Sequence, residues 1–523
     1  MFFFFFSFWY ILLVSLSKTF NVLILFLFIS CNYSDEIRKP NIVLFMVDDL
    51  GWQDTSVPFW NNKTNYNKLY NTPNMELLAE MGVKFTNAYA TPVCSPSRIS
   101  LMTGMNAAKH RVTNWTLHPN KKKPAEINHK SFEFPDWNYN GLSTSDSINN
   151  SVYATPLPQV LKDNGYYTIH AGKAHLGAIG YPSSNPLNIG FDINIAGHAA
   201  GAPQSYMGLD NFGNNDPKNK IWAVPGLEKY HGKDIFLTQA ISEEVLEKLQ
   251  KPINSKSPFF LYFSLYNVHA PLMEDNRFVE KYKNIGLKNS EIKYASMVES
   301  MDHALGVVLD ELKKKNILEN TIVVFMSDNG GLSAVAREGE KHNHNYPLKS
   351  GKGSIYEGGI RVPMIVYSPF HNSNIKEINH PVIIDDFFPS ILEFTGSENS
   401  SLVQEIDGQS FVPLLKNEVI ENKPLFWHYP NWWGPIGPGI GSYSAVRHGK
   451  WKFIYFHDTQ VIELYNLEKD ISENNNLISV NTSKSELLAN VLTKYLKSID
   501  AQMPFNKITN SIVPWPDEHT LFN

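Results

Sequence analysis

Cysteine is nearly absent: Cys31 and Cys94 are the only two in 523 residues. That excludes a disulfide-stapled miniprotein and leaves at most one bridge for an exported chain. Arginine is scarce too, at seven positions (38, 98, 111, 277, 337, 361 and 447) among 46 basic residues, so it is not the default surface cation here. There is no basic excess. The 46 Lys+Arg face 51 Asp+Glu for a net charge of −5, which gives no electrostatic reason to expect nucleic acid as a partner. Beyond the N-terminal segment no stretch reaches the roughly 18 apolar residues of a membrane-spanning helix, and no repeat recurs at a period of roughly 20 to 50 residues. What is plentiful is apolar mass, 43% of the chain, enough for a large buried core. The length fits about three domains, or one large α/β unit with an appendage.

Residues 2–30 are almost wholly apolar, broken by Lys18, Thr19 and Asn21, and the chain turns polar at Asn32. With Lys18 as the basic region and Val22–Ile29 as the apolar region, residues 1–30 have the proportions of a signal peptide. Phe28-Ile29-Ser30-Cys31 resembles a bacterial lipobox, in which the cysteine is acylated and becomes the new N-terminus. The other reading is an ordinary signal sequence with an incidental cysteine. The lipobox implies an exported protein, lipid-anchored at the bacterial cell envelope (periplasm or outer-membrane surface) without spanning the membrane.

Short runs rich in β-branched and aromatic residues at Asn41–Val47, Phe259–Leu265, Thr321–Met326 and Met364–Tyr367 are apolar at successive positions, as in strands buried on both faces. Between them, Ile241, Val245 and Leu249, and Val298, Met301, Leu305, Val308, Leu309 and Leu312, recur at helical spacing. Strands alternating with helices predict an α/β fold with a mostly parallel sheet sandwiched by helices. From about residue 425 the texture changes to aromatic-rich strands such as Trp451–Phe456 and an amphipathic helix from Leu487 to Ile499. The expected division is therefore a signal segment at 1–30, a catalytic α/β domain at 31–424 and a smaller α+β subdomain at 425–523. Residues 109–153, polar and Asn-rich, are predicted to be loop.

Ligands of open α/β sheets bind beyond the carboxyl ends of the strands. Two predicted strands end there in acidic groups: Asn41–Val47 in Asp48-Asp49, and Thr321–Met326 in Ser327-Asp328-Asn329-Gly330. Three carboxylates and an amide at one sheet edge call for a cation, and an all-oxygen set suits Ca²⁺ or Mg²⁺ rather than zinc. Either motif alone also reads as a helix cap or turn. Cys94 lies at a loop-to-helix junction with Arg98 four residues on, where a helix N-terminus and a guanidinium both favour an anion.

Pro92-Val93-Cys94-Ser95-Pro96-Ser97-Arg98, continued by Leu101-Met102-Thr103-Gly104, resembles the C-x-P-S-R…L-x-T-G signature of the sulfatase family, every core position being present. Gly165–Gly177, ending Gly172-Lys173-Ala174-His175-Leu176-Gly177, is similar to the second sulfatase signature, with Ala174 in place of its usual tryptophan. Asn267-Val268-His269-Ala270-Pro271 resembles the family's H-x-P turn. Asn345–Gly353 and Glu357–Pro363 resemble its N-x-P-L-R-G-x-K and E-G-G-x-R-V-P segments, with Lys349 where many members have Arg. Ser444–Lys452 and Glu463–Leu467 look like its terminal subdomain, so the resemblance spans about residues 38–505.

The resemblance implies an alkaline-phosphatase-like fold and a formylglycine (3-oxoalanine) nucleophile made from Cys94 by a maturation enzyme. It also implies Ca²⁺ held by Asp48, Asp49, Asp328, Asn329 and the modified Cys94. One hydroxyl of the hydrated aldehyde attacks sulfur, His269 protonates the leaving alkoxide with Lys352 in support, and His175 takes the proton of the second hydroxyl as sulfate departs. Arg98 and Lys173 are implied to hold the hydroxyls and sulfate oxygens. In the loops flanking these segments, His198, Arg337, His342 and His344 are candidate substrate contacts, and Trp115, Trp432 and Trp433 are candidates for stacking on a sugar ring. The expected substrate is a sulfated polysaccharide or oligosaccharide, algal galactan or ulvan before host glycosaminoglycan. The alternatives are a phosphonate or phosphate monoester hydrolase of the same superfamily and a polysaccharide-binding lipoprotein without catalysis.

Overall fold

A computed structural model describes residues 39–333, 337, 341–397 and 402–522. The proposed signal segment and Cys31 lie outside the described residues. Nine strands form the main sheet: β1 (Asn41–Val47), β2 (Val83–Tyr89), β3 (Tyr167–Gly172), β4 (Ile193–Ile195), β5 (Phe259–Ser264), β6 (Thr321–Ser327), β7 (Arg361–Tyr367), β8 (Glu377–Ile378) and β9 (Val382–Ile383). Their order is β8-β2-β7-β6-β1-β5-β3-β4, with β9 also on β2. The centre is parallel, and β7 alone runs antiparallel to its neighbours β6 and β2.

All seven residues of β1 are buried because alternate side chains enter two different cores. Ile42, Leu44 and Met46 face one core, and Val43, Phe45 and Val47 face the other. The second core is closed by α2 (Leu237–Ser255) and α3 (Asn289–Lys314), which bury the predicted stripes Ile241, Val245, Leu249 and Val298, Met301, Leu305, Leu312. The first core receives α1 (Cys94–Thr103), buried along its whole length. The mostly parallel sheet between helical layers bears out the α/β reading. Residues 109–153 form mainly loop with short pieces such as Gly141–Ser143 and Ser151–Tyr153.

A four-stranded antiparallel sheet follows: β10 (Leu425–Tyr429), β11 (Tyr443–His448), β12 (Trp451–Phe456) and β13 (Ile462–Asn466). Trp427, Tyr429, Tyr443 and Ile454 join the first core. Val446, Phe453 and Leu464 on the opposite face pack on Leu488, Leu492 and Leu496 of α4 (Thr482–Ser498), a spacing of four that keeps the leucines on one helix face. The described residues from Pro40 onward form one compact unit.

A buried charge cluster joins the two sheets. Glu357 accepts from Lys452 Nζ at 2.9 Å and from Tyr89 Oη at 2.6 Å, and lies 3.4 Å from Arg361 Nη1. Lys452 also meets Glu473 Oε1 at 2.9 Å, and Glu473 Oε2 accepts the Glu357 amide at 2.7 Å. Burial acts to raise the Glu357 carboxyl, but Lys452, Arg361 and Arg447 outweigh it and hold the group below the usual range. Burial, aided by Glu357, pushes Glu473 up to about 7. Glu357→Gln is therefore expected to cost about 3–5 kcal/mol in urea unfolding at neutral pH, since it strands buried cations, and Glu473→Gln much less. The signs with pH also differ. The folded pKa of Glu473 lies above its unfolded value, so its contribution is full below about pH 4.5 and lost as pH rises through about 7. Glu473→Gln should thus gain on the wild type between pH 5 and pH 8. A larger loss from Glu473→Gln than from Glu357→Gln would refute this assignment.

Candidate active site

Three strand ends bring the polar groups together. The register that sets Val47 opposite Ser327 places Asp48 beside Asp328, whose amide donates to Val47 O at 3.0 Å. Beyond β5, Asn267 O accepts the Asp48 amide at 2.8 Å, and Val268 N donates to Asp48 O at 2.6 Å, which holds the following His269 at the same edge. Asp49 has φ 61°, and its amide donates to Asp328 Oδ1 at 3.3 Å. Cys94 opens α1, whose first turn is fixed by the Thr91 amide donating to Ser97 Oγ at 2.9 Å. The free amides and the dipole of that N-terminus favour an anion above Cys94.

The carboxylates are paired from below. Lys173 Nζ meets Asp48 Oδ2 at 2.6 Å, Lys352 Nζ meets Asp49 Oδ1 at 2.6 Å, and Arg98 Nε donates to Asp328 Oδ2 at 2.8 Å. Arg98 Nη1 donates to Lys173 O at 3.0 Å and to Ser264 Oγ at 2.5 Å. Even so, burial and the neighbouring Asp328 push Asp48 up to about 8 despite Lys173. Burial also acts on Asp49, but Lys352 and His269 bring it down to about 2. Two buried acceptors, Asp49 Oδ2 and Asn329 Oδ1, have no hydrogen-bond partner among the described residues. Ligand atoms of Asp48, Asp49, Cys94 and His269 all lie within 4.8 Å of one another. Orphaned oxygens beside a carboxylate under repulsion are what a bound cation relieves, and this cluster has the geometry to hold a metal ion.

The histidines are fixed in definite tautomers. His175, at φ 52°, has Nε2 at 2.9 Å from Thr116 O, so that nitrogen carries the proton and the buried Nδ1 is left as an acceptor without a partner. Burial, with Lys173 and Arg98, holds His175 well below the ordinary imidazole range. Gly201 allows the ring its place, since a Cβ there would lie 2.4 Å from Cε1. His269 has Nδ1 at 2.6 Å from Ala270 O, which aims Nε2 at Asp49 Oδ2, 3.7 Å away; burial first and Lys352 second lower it to about 3. The Cys94 thiol sits 3.6 Å from Asp48 Oδ1, and burial pushes it up to about 12 against the pull of Lys173 and Lys352.

A cavity of about 270 Å³ stands over this floor, reached by Cys94, His175, His269 and Lys352 and walled by Trp115, Trp222, Trp433 and Leu332. Arg98 and Lys173 lie beneath it, engaged with Asp328 and Asp48. Sequence reasoning missed Trp222, Leu332, Thr116 and Ser264; only Ser264, the polar end of an apolar strand run, carried a signal. Trp432 is not a wall: it stacks on Phe134 at 6.2 Å within the C-terminal core.

None of the four loop candidates for substrate contact, His198, Arg337, His342 and His344, lines this cavity. Arg337 is internal, with Nε and Nη2 on Glu291 at 2.8 and 2.9 Å and Nη1 on Asp54 at 2.9 Å. Asp54 Oδ2 in turn accepts the Gly51 amide at 3.3 Å and so braces the turn after Asp49. His344 is buried with Nε2 at 3.7 Å from Glu291. The His342 ring lies against Gly437. His198 contributes its carbonyl, which accepts the His175 amide at 3.2 Å, while its ring packs near Tyr266.

A mostly parallel sheet between helical layers, with its acidic strand ends gathered at one edge, defines an alkaline-phosphatase-like hydrolase fold. The sulfatase family model matches residues 40–397, and the model for the C-terminal region of N-sulphoglucosamine sulphohydrolase matches residues 350–502. The chain belongs to the sulfatase family and is a sulfuric ester hydrolase. It is 29% identical over 499 residues to a sulfatase of Formosa agariphila, covering 87% of each chain. It is 29% identical to mouse (Mus musculus) N-acetylgalactosamine-6-sulfatase, covering 86% of this chain and 78% of the relative. The crystal structure of Ps i-CgsB superposes with a TM-score of 0.69 at 30% identity, over 88% of this chain and 93% of that one, and that protein is also known in complex with k-i-k-neocarrahexaose.

Proposed function

We propose that this protein releases sulfate from a sulfated carbohydrate of the algal galactan type, using a formylglycine made from Cys94. The observation that carries the reading is Cys94 itself: it lines the cavity together with His175, His269 and Lys352, yet burial pushes its thiol up to about 12. A thiol in that state is a poor nucleophile, whereas the hydrated aldehyde offers two hydroxyls in the same place. The binding of neocarrahexaose by Ps i-CgsB supports a sulfated galactan, and the tryptophan walls suit a sugar ring. Glycosaminoglycan is the second reading, supported by the name of the mouse relative.

Asp48, Asp49, Asp328, Asn329 and the modified Cys94 would hold Ca²⁺, which when bound offsets the charge of the sulfate group. One hydroxyl of the hydrated Cys94 residue, giving its proton to the Asp48 carboxylate beside it, forms a bond to sulfur while the sulfur–oxygen bond to the sugar breaks. His269 Nε2, protonated once the anionic ester arrives beside it, gives its proton to the departing alkoxide, and Lys352 stabilises the developing charge. His175 Nδ1 then accepts the proton of the second hydroxyl, the aldehyde carbonyl re-forms, and the carbon–oxygen bond to sulfate breaks. Water restores the hydrate. Arg98, whose Nη2 lies 2.7 Å from Asp328 Oδ2, and Lys173 hold the oxygens in place. An oxidising maturation enzyme prepares Cys94, and acylation at Cys31 anchors the exported chain at the bacterial envelope. No described helix is long and apolar enough to cross a membrane.

The test combines sulfate release from a panel of sulfated galactan and glycosaminoglycan oligosaccharides with intact-mass analysis. Active enzyme should carry formylglycine at position 94. His175→Ala should lower turnover by about 10²–10⁴-fold and accumulate protein sulfated at that residue, whereas His269→Ala should lose turnover without accumulating it. Full activity with unmodified Cys94 would overturn the reading.

A further inference from the structure

A second and larger cleft, about 720 Å³, shares no lining residue with the cavity over Cys94. It lies on the same rim of the main sheet, because Arg361 opens β7 directly opposite Tyr89 at the end of β2, and it extends to the β11–β12 hairpin and the segment after β13. Two of the chain's seven arginines line it, Arg361 and Arg447, each only 6% exposed. Both guanidiniums are held rigidly. Arg361 donates through Nε to Thr86 O at 2.8 Å and stacks 4.3 Å from the Trp52 ring. Arg447 donates through Nε to Gly449 O at 3.1 Å and through Nη1 to Tyr89 Oη. With Arg361 Nη1 turned to Glu357 Oε2 at 3.4 Å, the hydrogen bonds of both guanidiniums among the described residues run through Nε and Nη1 and leave Nη2 over, and the buried Nε1 of Trp52, which also lines the cleft, has no partner there. Exposed Lys450 and Lys469 add two cations, while of the two lining carboxylates Glu377 is paired with Lys84 at 3.1 Å. Half-buried Trp60 completes one wall.

We infer that this cleft is a second binding site for a sulfated saccharide, which grips a sulfate group remote from the one being hydrolysed. The two Nη2 groups, one from each fixed guanidinium, donate charge-assisted hydrogen bonds to the tetrahedral oxyanion. Trp60 offers a face to the sugar ring, and the lysines widen the positive field for neighbouring sulfates. Backbone and phenol contacts that already orient both arginines reduce what binding must immobilise. The inference rests on the sulfated-carbohydrate reading for the nature of the ligand, but its test does not depend on turnover.

The test uses full-length Cys94→Ala protein, which cannot turn over, titrated calorimetrically with a sulfated galactan hexasaccharide, its chemically desulfated counterpart and inorganic sulfate. Two equivalents of the sulfated hexasaccharide should bind. With Lys450→Glu and Lys469→Glu added, both at exposed positions that folding tolerates, one class of site should weaken at least tenfold while the other persists. The desulfated hexasaccharide should not occupy the cleft, and inorganic sulfate should bind it more weakly than the hexasaccharide. One equivalent in the parent, two unchanged equivalents in the charge-reversed protein, equal binding of the desulfated sugar, or inorganic sulfate binding as tightly as the hexasaccharide would each overturn the inference. Sulfate release by the wild type, measured in parallel, reports on the function reading separately.

Discussion

Cys94→Ala is expected to lower kcat for sulfate release by at least about 10⁴-fold, because it removes the only atom from which the covalent nucleophile is made. The rest of the floor should survive. Cys94 opens α1 with its thiol against Asp48 Oδ1 at 3.6 Å and makes no ion pair, so alanine leaves the Lys173–Asp48, Lys352–Asp49 and Arg98–Asp328 pairs in place. Substrate affinity, measured by equilibrium titration, should therefore change far less than kcat. The structure also separates this outcome from that of an ordinary thiol enzyme. A catalytic cysteine depends on a lowered pKa, whereas burial pushes this thiol up to about 12. Alkylating reagents should thus leave unconverted protein largely unmodified at neutral pH. Rapid alkylation of Cys94, or turnover by the alanine variant within tenfold of wild type, would show that the thiol chemistry has been misjudged.

The strand ends were legible in the sequence because an apolar run that stops at Asp48-Asp49 or Asp328-Asn329 states both the strand and its polar terminus. Helical spacing likewise exposed the buried stripes of α2 and α3. What stayed hidden depends on partners far away in the chain. Arg337 looked like a loop cation near Lys352, but Asp54, 283 residues earlier, and Glu291 close it off from the cavity. Arg98 follows Cys94 by one helical turn, so spacing puts both on one face of α1. Spacing does not tell that this turn carries the guanidinium below the floor, to Asp328 and Ser264. Trp222 reaches the cavity from the end of a single helical turn, Lys220–Trp222, too short to show a periodicity. The division expected at residue 425 marks where the antiparallel sheet begins, but Trp427 and Tyr443 enter the main core, so the two sheets fold as one body.

Arg98 is where the largest loss of stability is expected. Its guanidinium is fully buried, holds Asp328 through Nε at 2.8 Å, and ties α1 to the ends of β3 and β5 through Lys173 O and Ser264 Oγ. Arg98→Met leaves a buried carboxylate next to Asp48 without its cation, a change that costs about 3–5 kcal/mol in urea unfolding. Arg98→Lys keeps the charge, but an ammonium cannot serve three acceptors in the fixed directions of a guanidinium, so it should recover part of the stability and little of the turnover. Pairing Arg98→Met with Asp328→Asn removes both charges. If the cost of the single change is the stranded carboxylate, the double variant should be more stable than Arg98→Met alone while remaining inactive, since the cluster then lacks one of its acidic groups. Strict additivity of the two changes, or a loss below about 1 kcal/mol for Arg98→Met, would mean that Asp328 is neutralised by something other than Arg98.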